Sequence, residues 1–416
     1  MKRALKRIKY MNILRTIFVA VIALALYNCG SRDKNAIDSY FGIDVPKDSL
    51  NAFLEDRIAD LNIPGLSMAM INDGQVVHHV NYGYADLGHK KPITDQTIFE
   101  GASISKSVFA FFVMTFVEEG KLNLDRPLYE YLPYPDIAHD ERYKKITARM
   151  VLSHRSGFPN WRQNEPDEKL VIKFDPGTDY EYSGEGYQYL AMVLKHIENT
   201  DWKGLEAEFQ RKIAEPLGME HTVFLQTPYT RKHKAEPYDE KGERVDWENG
   251  DWNRNRPGEF GAAYSIHTEP MDFSKWMIGV MDKKILSTES YAELFREHSD
   301  LPDEDMDMAY TLGFYAPPLP FSNTYGHGGN NDGFTCMFML NTEKDWGYVL
   351  FTNSEYGQQL GEELFEYLIV GPDLTMVYVV GALLGLLLLS AVFLAIRWLV
   401  RRRRKRNGSR NENTFA

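Results

Sequence analysis

Apolar positions along the chain fall into two uninterrupted runs near its ends and a series of short periodic blocks between them. Ile17 to Leu26 is entirely apolar, within an uncharged run from Thr16 to Cys29. Leu374 to Ile396 is 23 residues without a charge. As a helix rising about 1.5 Å per residue, that segment would span roughly 35 Å, enough to cross a bilayer. Between the runs, Leu50, Phe53, Leu54, Ile58 and Leu61 share one face of a helix that Asp48 or Ser49 can cap. Leu66 to Ile71 reads as a buried strand, Asn72-Asp73-Gly74 as a turn and Val76 to Val80 as the returning strand of a hairpin. Ser103 to Glu119 predicts a helix that is apolar nearly all round, which belongs in the centre of the body, with Gly120 as its C-cap. Residues 121–260 mix helix and loop. Gly333 to Leu340 and Gly347 to Thr352 predict two strands joined by Asn341 to Trp346, and Gln358 to Val370 a last amphipathic helix. Strands thus lie at both ends of the body with helices between, and hairpin connections predict an antiparallel sheet. No internal repeat is present.

Charge divides the chain further. Of 47 Lys and Arg, six lie in the first 15 residues and eight in 397–416, whereas those two segments hold one of the 59 acids. The body between is strongly acidic and repels nucleic acid, so a nucleic-acid partner is not expected. A basic start followed by a short apolar run predicts an export signal over residues 1–29, too short for a comfortable membrane span. Leu26-Tyr27-Asn28-Cys29 resembles a bacterial lipobox, although Tyr27 and Asn28 are larger than the residues usual there. A lipidated Cys29, a plain signal peptide and an uncleaved anchor all remain open. Residues 30–47 predict a linker and 48–370 the exported domain. Residues 374–396 predict a transmembrane helix, and the cluster Arg401 to Arg406 a cytoplasmic tail over 397–416. The expected location is the cytoplasmic membrane of a bacterium, with the domain facing the periplasm or exterior. Cys29 and Cys336 are the only cysteines, which excludes a disulfide framework and a Cys-rich metal site.

Three segments carry candidate chemistry. In Ser103-Ile104-Ser105-Lys106, residues three apart share a helix face, so the Ser103 hydroxyl and the Lys106 amine can meet. A lysine sunk in an apolar helix has its charged form disfavoured and can take the proton that makes serine a nucleophile. The spacing alone is not specific: Ser31-Arg32-Asp33-Lys34 repeats it in the linker. The second segment is Tyr182-Ser183-Gly184 and the third His327-Gly328-Gly329, followed by Asn330 and Asn331; each alone reads as a turn. His78 and His79 alternate across a strand and cannot chelate one metal together. His154 is expected to buttress a turn, and Trp247, Trp252 and Trp276 to pack in the core or lobe rather than line a cleft.

In this order the three segments resemble the serine β-lactamase/penicillin-binding-protein superfamily, and within it the class C β-lactamase-like hydrolases and esterases. The likeness runs over about 48–370 and includes Ile63-Pro64-Gly65-Leu66-Ser67, Tyr82-Gly83-Tyr84-Ala85-Asp86, Gly120 to Asp125, Leu152-Ser153-His154-Arg155-Ser156-Gly157, Pro176-Gly177 and Pro216-Leu217-Gly218-Met219. The resemblance implies an α/β (α+β) fold: an antiparallel sheet flanked by helices, plus a helical lobe, with the site between them. It implies Ser103 as the acylated nucleophile and Lys106 and Tyr182 sharing the proton handling, with the base left open. It implies an oxyanion hole from the backbone N–H groups of Ser103 and Asn330. His327, Gly328, Gly329 and Gly184 would contact substrate. The implied activity is hydrolysis of a small ester, amide or peptide without metal or organic cofactor. A β-lactamase or a D-alanyl carboxypeptidase/D-aminopeptidase is one alternative, and an inactive domain binding cell-wall peptide or a partner is another. Gly184 stands where the superfamily usually has Asn, the side chain that touches a substrate amide.

Overall fold

The computed structural model describes residues 35–245, 258–301, 308–319 and 323–371, together with Gly385 and Arg397. The expectations for the export signal and Cys29, for 374–396 and the basic tail, and for Trp247 and Trp252 lie outside the described residues. Among the described residues no helix is long and apolar enough to cross a membrane. The chain divides into two compact units, one of Pro46–Glu366 and one holding the described residues on either side of it. Near the start of the described chain β1 (Ala36–Asp38) pairs with β2 (Asp44–Pro46), and within the smaller unit the Tyr40 N–H donates to Leu368 O at 2.8 Å.

The larger unit is built on a nine-stranded sheet. Its strands are β3 (Gly65–Asn72), β4 (Gln75–Asp86), β5 (Lys91–Pro92), β8 (Ser299–Asp300), β9 (Ala309–Tyr310), β10 (Tyr315–Ala316), β11 (Thr324–Asn331), β12 (Phe334–Asn341) and β13 (Trp346–Thr352). β6 (Phe99–Glu100) and β7 (His267–Thr268) form a separate pair. The order across the sheet is β5-β4-β3-β13-β12-β11-β10-β9-β8, with antiparallel pairing throughout. The hairpin predicted at Asn72–Gly74 is present. β3 and β4 close through Asp73 and Gly74, both at positive φ (50° and 67°), the turn whose twist matches paired strands. The predicted C-terminal strands are β12 and β13, and β13 lies directly against β3, with Tyr348 opposite Met70. The two ends of the domain therefore meet in mid-sheet.

The predicted central helix is a 3-10 turn, Ala102–Ile104, running into an α-helix, Ser105–Glu118. Every residue from Ser105 to Phe116 is buried. Its all-round apolarity has a geometric cause, since the helix is sandwiched. Phe112 meets Phe209 and Phe260 of the helical lobe at 5.8 and 6.4 Å between ring centroids, and Phe111 meets Trp276 at 6.2 Å. Trp276, on the Pro270–Met281 helix, is fully buried against Phe273 and Phe338 and is core, as expected. The lobe contributes the helices Gly184–Ile197 and Trp202–Phe209.

Candidate active site

The segment leading to Ser103 is held from three sides. The Gly101 N–H donates to Ile266 O at 2.8 Å, Ser105 Oγ accepts from the Ile266 N–H at 3.0 Å, and Ser107 Oγ donates to Gly313 O at 2.6 Å. Ala102 carries a positive φ of 43°, a conformation unusual for a residue with a Cβ. Strain of this kind persists only where the surroundings over-determine it, and here it directly precedes Ser103. Ser103 itself keeps partial exposure.

Lys106 lies one turn on. Its Nζ is 3.0 Å from Ser103 Oγ and donates to Ala263 O at 2.9 Å. The residue is 1 % exposed, and burial alone drives its pKa down to about 7. The amine sits 4.6 Å from the centroid of the Tyr182 ring, whose face favours a cation, but the desolvation of a fully buried ammonium is the larger effect. Tyr182 is hydrogen-bonded to Ser103 through its side chain. Burial, reinforced by Tyr315, pushes its phenol well above the ordinary tyrosine range, so it is a protonated phenol at neutral pH. The three residues singled out in sequence thus converge, although Tyr182 lies 79 positions from Ser103 in the chain. The decoy Ser31 lies outside the described residues.

β11 runs beside this group. A Cβ placed on Gly329 would sit 2.9 Å from the Ser103 amide nitrogen and 2.7 Å from Gly101 O, so only glycine lets the strand approach Ser103 this closely. Cys336, opposite Gly329 on β12, is buried there and donates its thiol to Gly101 O at 3.1 Å. Asn330 follows, exposed, with its side chain donating to Glu355 at 2.9 Å. Gly328 keeps partial exposure.

His327 is placed differently from a substrate-facing residue. It is buried, with Nε2 3.1 Å from the Tyr310 hydroxyl and Nδ1 bonded to Gly328 O. Both ring nitrogens are therefore occupied, and the imidazole is a neutral ring whose Nδ1 donates to Gly328 O and whose Nε2 accepts a hydrogen bond from the Tyr310 hydroxyl. Burial, and then the nearby Lys106, push its pKa down to about 3.

Gly184 opens the Gly184–Ile197 helix, capped by Ser183, whose Oγ accepts from the Gly186 N–H at 3.0 Å. A Cβ on Gly184 would lie 2.5 Å from the Trp161 ring. The space that a side chain at this position needs is filled by Trp161. The Gly184 N–H donates to Asn160 Oδ1 at 3.0 Å. Glu185 and Asn331, the polar neighbours best placed in sequence to compensate, are engaged elsewhere. Glu185 is bound by Arg162, at 2.9 Å from Nε and 2.8 Å from Nη2, and Asn331 Nδ2 donates to Glu100 at 2.6 Å.

Two clefts share Glu259 and Tyr264. One of about 380 Å³ is lined by Tyr134, Trp161, Arg162, Glu185 and Gln188, and the other, of about 710 Å³, by Glu100, Gln226, Arg231, His267 and Asn331. Neither is lined by Ser103 itself. Lys234, a cation in the larger cleft, is paired with Glu100. Asn160, Trp161, Ala263, Tyr264 and Tyr310 were not singled out in sequence. Trp161 was within reach, lying four residues beyond Leu152–Gly157, but nothing in its neighbourhood shows that it packs on residue 184. Among the described residues no cluster of His, Cys, Asp and Glu is arranged to hold a metal. His78 and His79 bond separately, to Asn51 at 2.8 Å and to Ser67 at 3.4 Å.

A family model described as Beta-lactamase matches residues 50–370, and the chain belongs to that family. Protein flp of Staphylococcus aureus (strain MW2) is 26% identical over 339 residues, 76% of this chain and 65% of its own length. The chain thus spans slightly less than two thirds of that relative. The putative penicillin-binding protein PbpX of Bacillus subtilis (strain 168) is 24% identical, over 75% of this chain and 76% of its own. Two solved structures share the fold. The octameric penicillin-binding protein homologue from Pyrococcus abyssi has a TM-score of 0.63 at 24% identity, covering 76% of this chain and 77% of its own. D-alanine carboxypeptidase AmpC from Burkholderia cenocepacia has a TM-score of 0.64 at 17% identity, covering 79% and 99%. The fold is therefore the α/β β-lactamase/transpeptidase fold, and the chain falls in its superfamily of serine hydrolases.

Proposed function

We propose that this member of the Beta-lactamase family hydrolyses small esters through an acyl-Ser103 intermediate. The observation that carries the reading is the Lys106 amine, buried and without a carboxylate partner among the described residues, 3.0 Å from Ser103 Oγ. At a pKa of about 7 a large fraction of it is neutral at physiological pH and able to accept the serine proton. As that proton moves to Nζ, Oγ bonds the substrate carbonyl carbon and the carbonyl oxygen becomes an oxyanion. The backbone N–H groups of Ser103 and Asn330 receive it. Collapse breaks the bond to the leaving alcohol, which takes its proton from the Tyr182 phenol, and Lys106 restores that proton. Water then repeats the sequence to release the acid.

An ester is favoured over a β-lactam or a D-alanyl peptide by what surrounds the nucleophile. Substrates with a free carboxylate need a charged group beside β11, and His327 is neutral and internal. An amide-binding side chain at 184 is replaced by glycine, with Trp161 in its place. Losing one charge-assisted and one neutral hydrogen bond costs on the order of 2–4 kcal/mol, tens- to several-hundredfold in rate. The domain is further proposed to be tethered outside the cytoplasmic membrane by residues 374–396, whose apolar length and following arginines support it. Steady-state rates on a butyryl ester and on a chromogenic cephalosporin, with mass spectrometry of the acylated protein, test the reading. The ester value of kcat/KM is expected to be the higher by at least tenfold, with the adduct on Ser103. A cephalosporin value equal to it or above would promote the lactamase alternative.

A further inference from the structure

His154 is fully buried and takes no part in the proton path above, yet it contacts Tyr182 and both of its chain neighbours. Its backbone carbonyl accepts the N–H of Glu181 at 2.9 Å. Its Nδ1 accepts the N–H of Ser183 at 3.0 Å. Its ring lies 4.3 Å, centroid to centroid, from the ring of Tyr182. The residues immediately before and after Tyr182 therefore both donate to one residue, which also packs on the side chain between them. This needs the carbonyl and the ring of His154 turned to the same segment, and His154 adopts a positive φ of 59° after the short helix Ala148–Leu152. A histidine held there is uncommon and is sustained by its surroundings. Because Nδ1 accepts, the proton lies on Nε2, and that atom is buried without a hydrogen-bond partner among the described residues. The ring is enclosed by Tyr180, Tyr187 and Tyr310, at 5.8, 5.3 and 4.7 Å. Burial, then Lys106 and His327, keep it uncharged. A buried imidazole with an unsatisfied N–H is costly, and a smaller apolar residue would fill a plain turn at less cost.

We propose that His154 is a positioning residue for Tyr182, clamping the backbone on both sides of it and backing its ring so that the phenol stays at Ser103. The proposal rests on the reading that Tyr182 delivers the leaving-group proton. A phenol that drifts loses proton transfer to a poor leaving group, while a leaving group that needs no proton is spared. Ethyl butyrate and nitrophenyl acetate therefore separate this role from simple loss of structure.

The experiment uses the full chain with His154→Phe, which keeps a ring but offers no acceptor. His154→Asn keeps an acceptor and tolerates the left-handed backbone. For ethyl butyrate, His154→Phe is expected to lower kcat at least tenfold with KM within about twofold, and His154→Asn to recover part of the loss. For nitrophenyl acetate both variants keep the acylation rate, read from the nitrophenol burst, within about threefold. In a Tyr182→Phe background, His154→Asn causes no further loss on ethyl butyrate, since both changes remove one function. Equal losses in the acylation step of the two esters, or an undiminished effect of His154→Asn in the Tyr182→Phe background, would overturn the proposal. Should His154→Phe fail to fold, the His154→Asn comparisons decide by themselves. A Tyr182→Phe enzyme with wild-type kcat on ethyl butyrate would instead remove Tyr182 from the proton path, and this role of His154 with it.

Discussion

Three residues turn on local electrostatics and space. Lys106 sits beside Ser103 with a pKa near 7. Only its neutral form accepts a proton, so kcat/KM for an ester is expected to rise with pH through about 7 and to level above it. A pH–rate profile without an inflection between 6 and 8 would remove Lys106 as the base. The same shift acts on stability with a definite sign. Between about 7 and the ordinary lysine value of 10.5 the unfolded chain binds the proton that the folded one lacks, so the cost of burying this amine is relieved and the fold gains stability as pH rises through that window. Ser103→Ala is expected to abolish labelling by a fluorophosphonate, whereas Ser31→Ala leaves it intact; persistent labelling of Ser103→Ala would displace the nucleophile. At Gly184 the outcome depends on Trp161. Gly184→Asn alone places a Cβ 2.5 Å from the Trp161 ring and is expected to destabilise the fold by about 1–3 kcal/mol. Pairing it with Trp161→Ala opens that space, and urea denaturation is expected to show part of the loss regained.

At the scale of elements, the helix Ser105–Glu118 decides most. The run of Val108 to Val117 identified it in sequence, and its all-round apolarity implied a central place. Its partners were not legible, because residues 121–260 carry no sustained periodicity and Phe209 and Phe260 come from separate parts of that stretch. Phe112 packs on Phe116, Phe209 and Phe260. Phe112→Ala is expected to cost about 3–5 kcal/mol, by lost transfer free energy and the cavity left behind. Unfolding free energies from urea titration measure it, and a loss below about 1 kcal/mol would mean that lobe and sheet do not share this core. β11 was legible only in part. His327-Gly328-Gly329 suggested a strand edge, but glycine-rich strands give no alternation to count, and Thr324 to Asn331 form a strand because β12 pairs along their whole length.

For the whole molecule, the sequence separates an acidic body from two basic, apolar ends. A chain limited to residues 30–371 is expected to stay in solution without detergent, while the full chain requires it, because both uncharged runs are then absent. Sedimentation of the two forms after detergent removal checks this, and pelleting of the shorter one would point to an exposed apolar surface on the domain. Protease protection in whole cells tests the proposed orientation: residues 48–370 are expected to be cleaved from outside.

What the sequence determined by itself is what local pattern encodes: the hairpin at Asp73–Gly74, the apolar helix after Ser103 and the strands after Gly333 and Gly347, while Ser103, Lys106 and Tyr182 stood out together through the family resemblance, by type and order. Lys106 was legible as an amine with a lowered pKa because burial at the start of an apolar helix favours the neutral, proton-accepting form of a lysine. What tertiary structure decided is how distant segments share space. It turned His327 inward onto Tyr310, filled the place beside Gly184 with Trp161, and set His154 beneath Tyr182. These outcomes depend on contacts between residues tens of positions apart, and hydrophobic periodicity carries no information about which side chain another will meet. The chemistry of each residue is written in the chain, while its direction and its neighbours are set by packing.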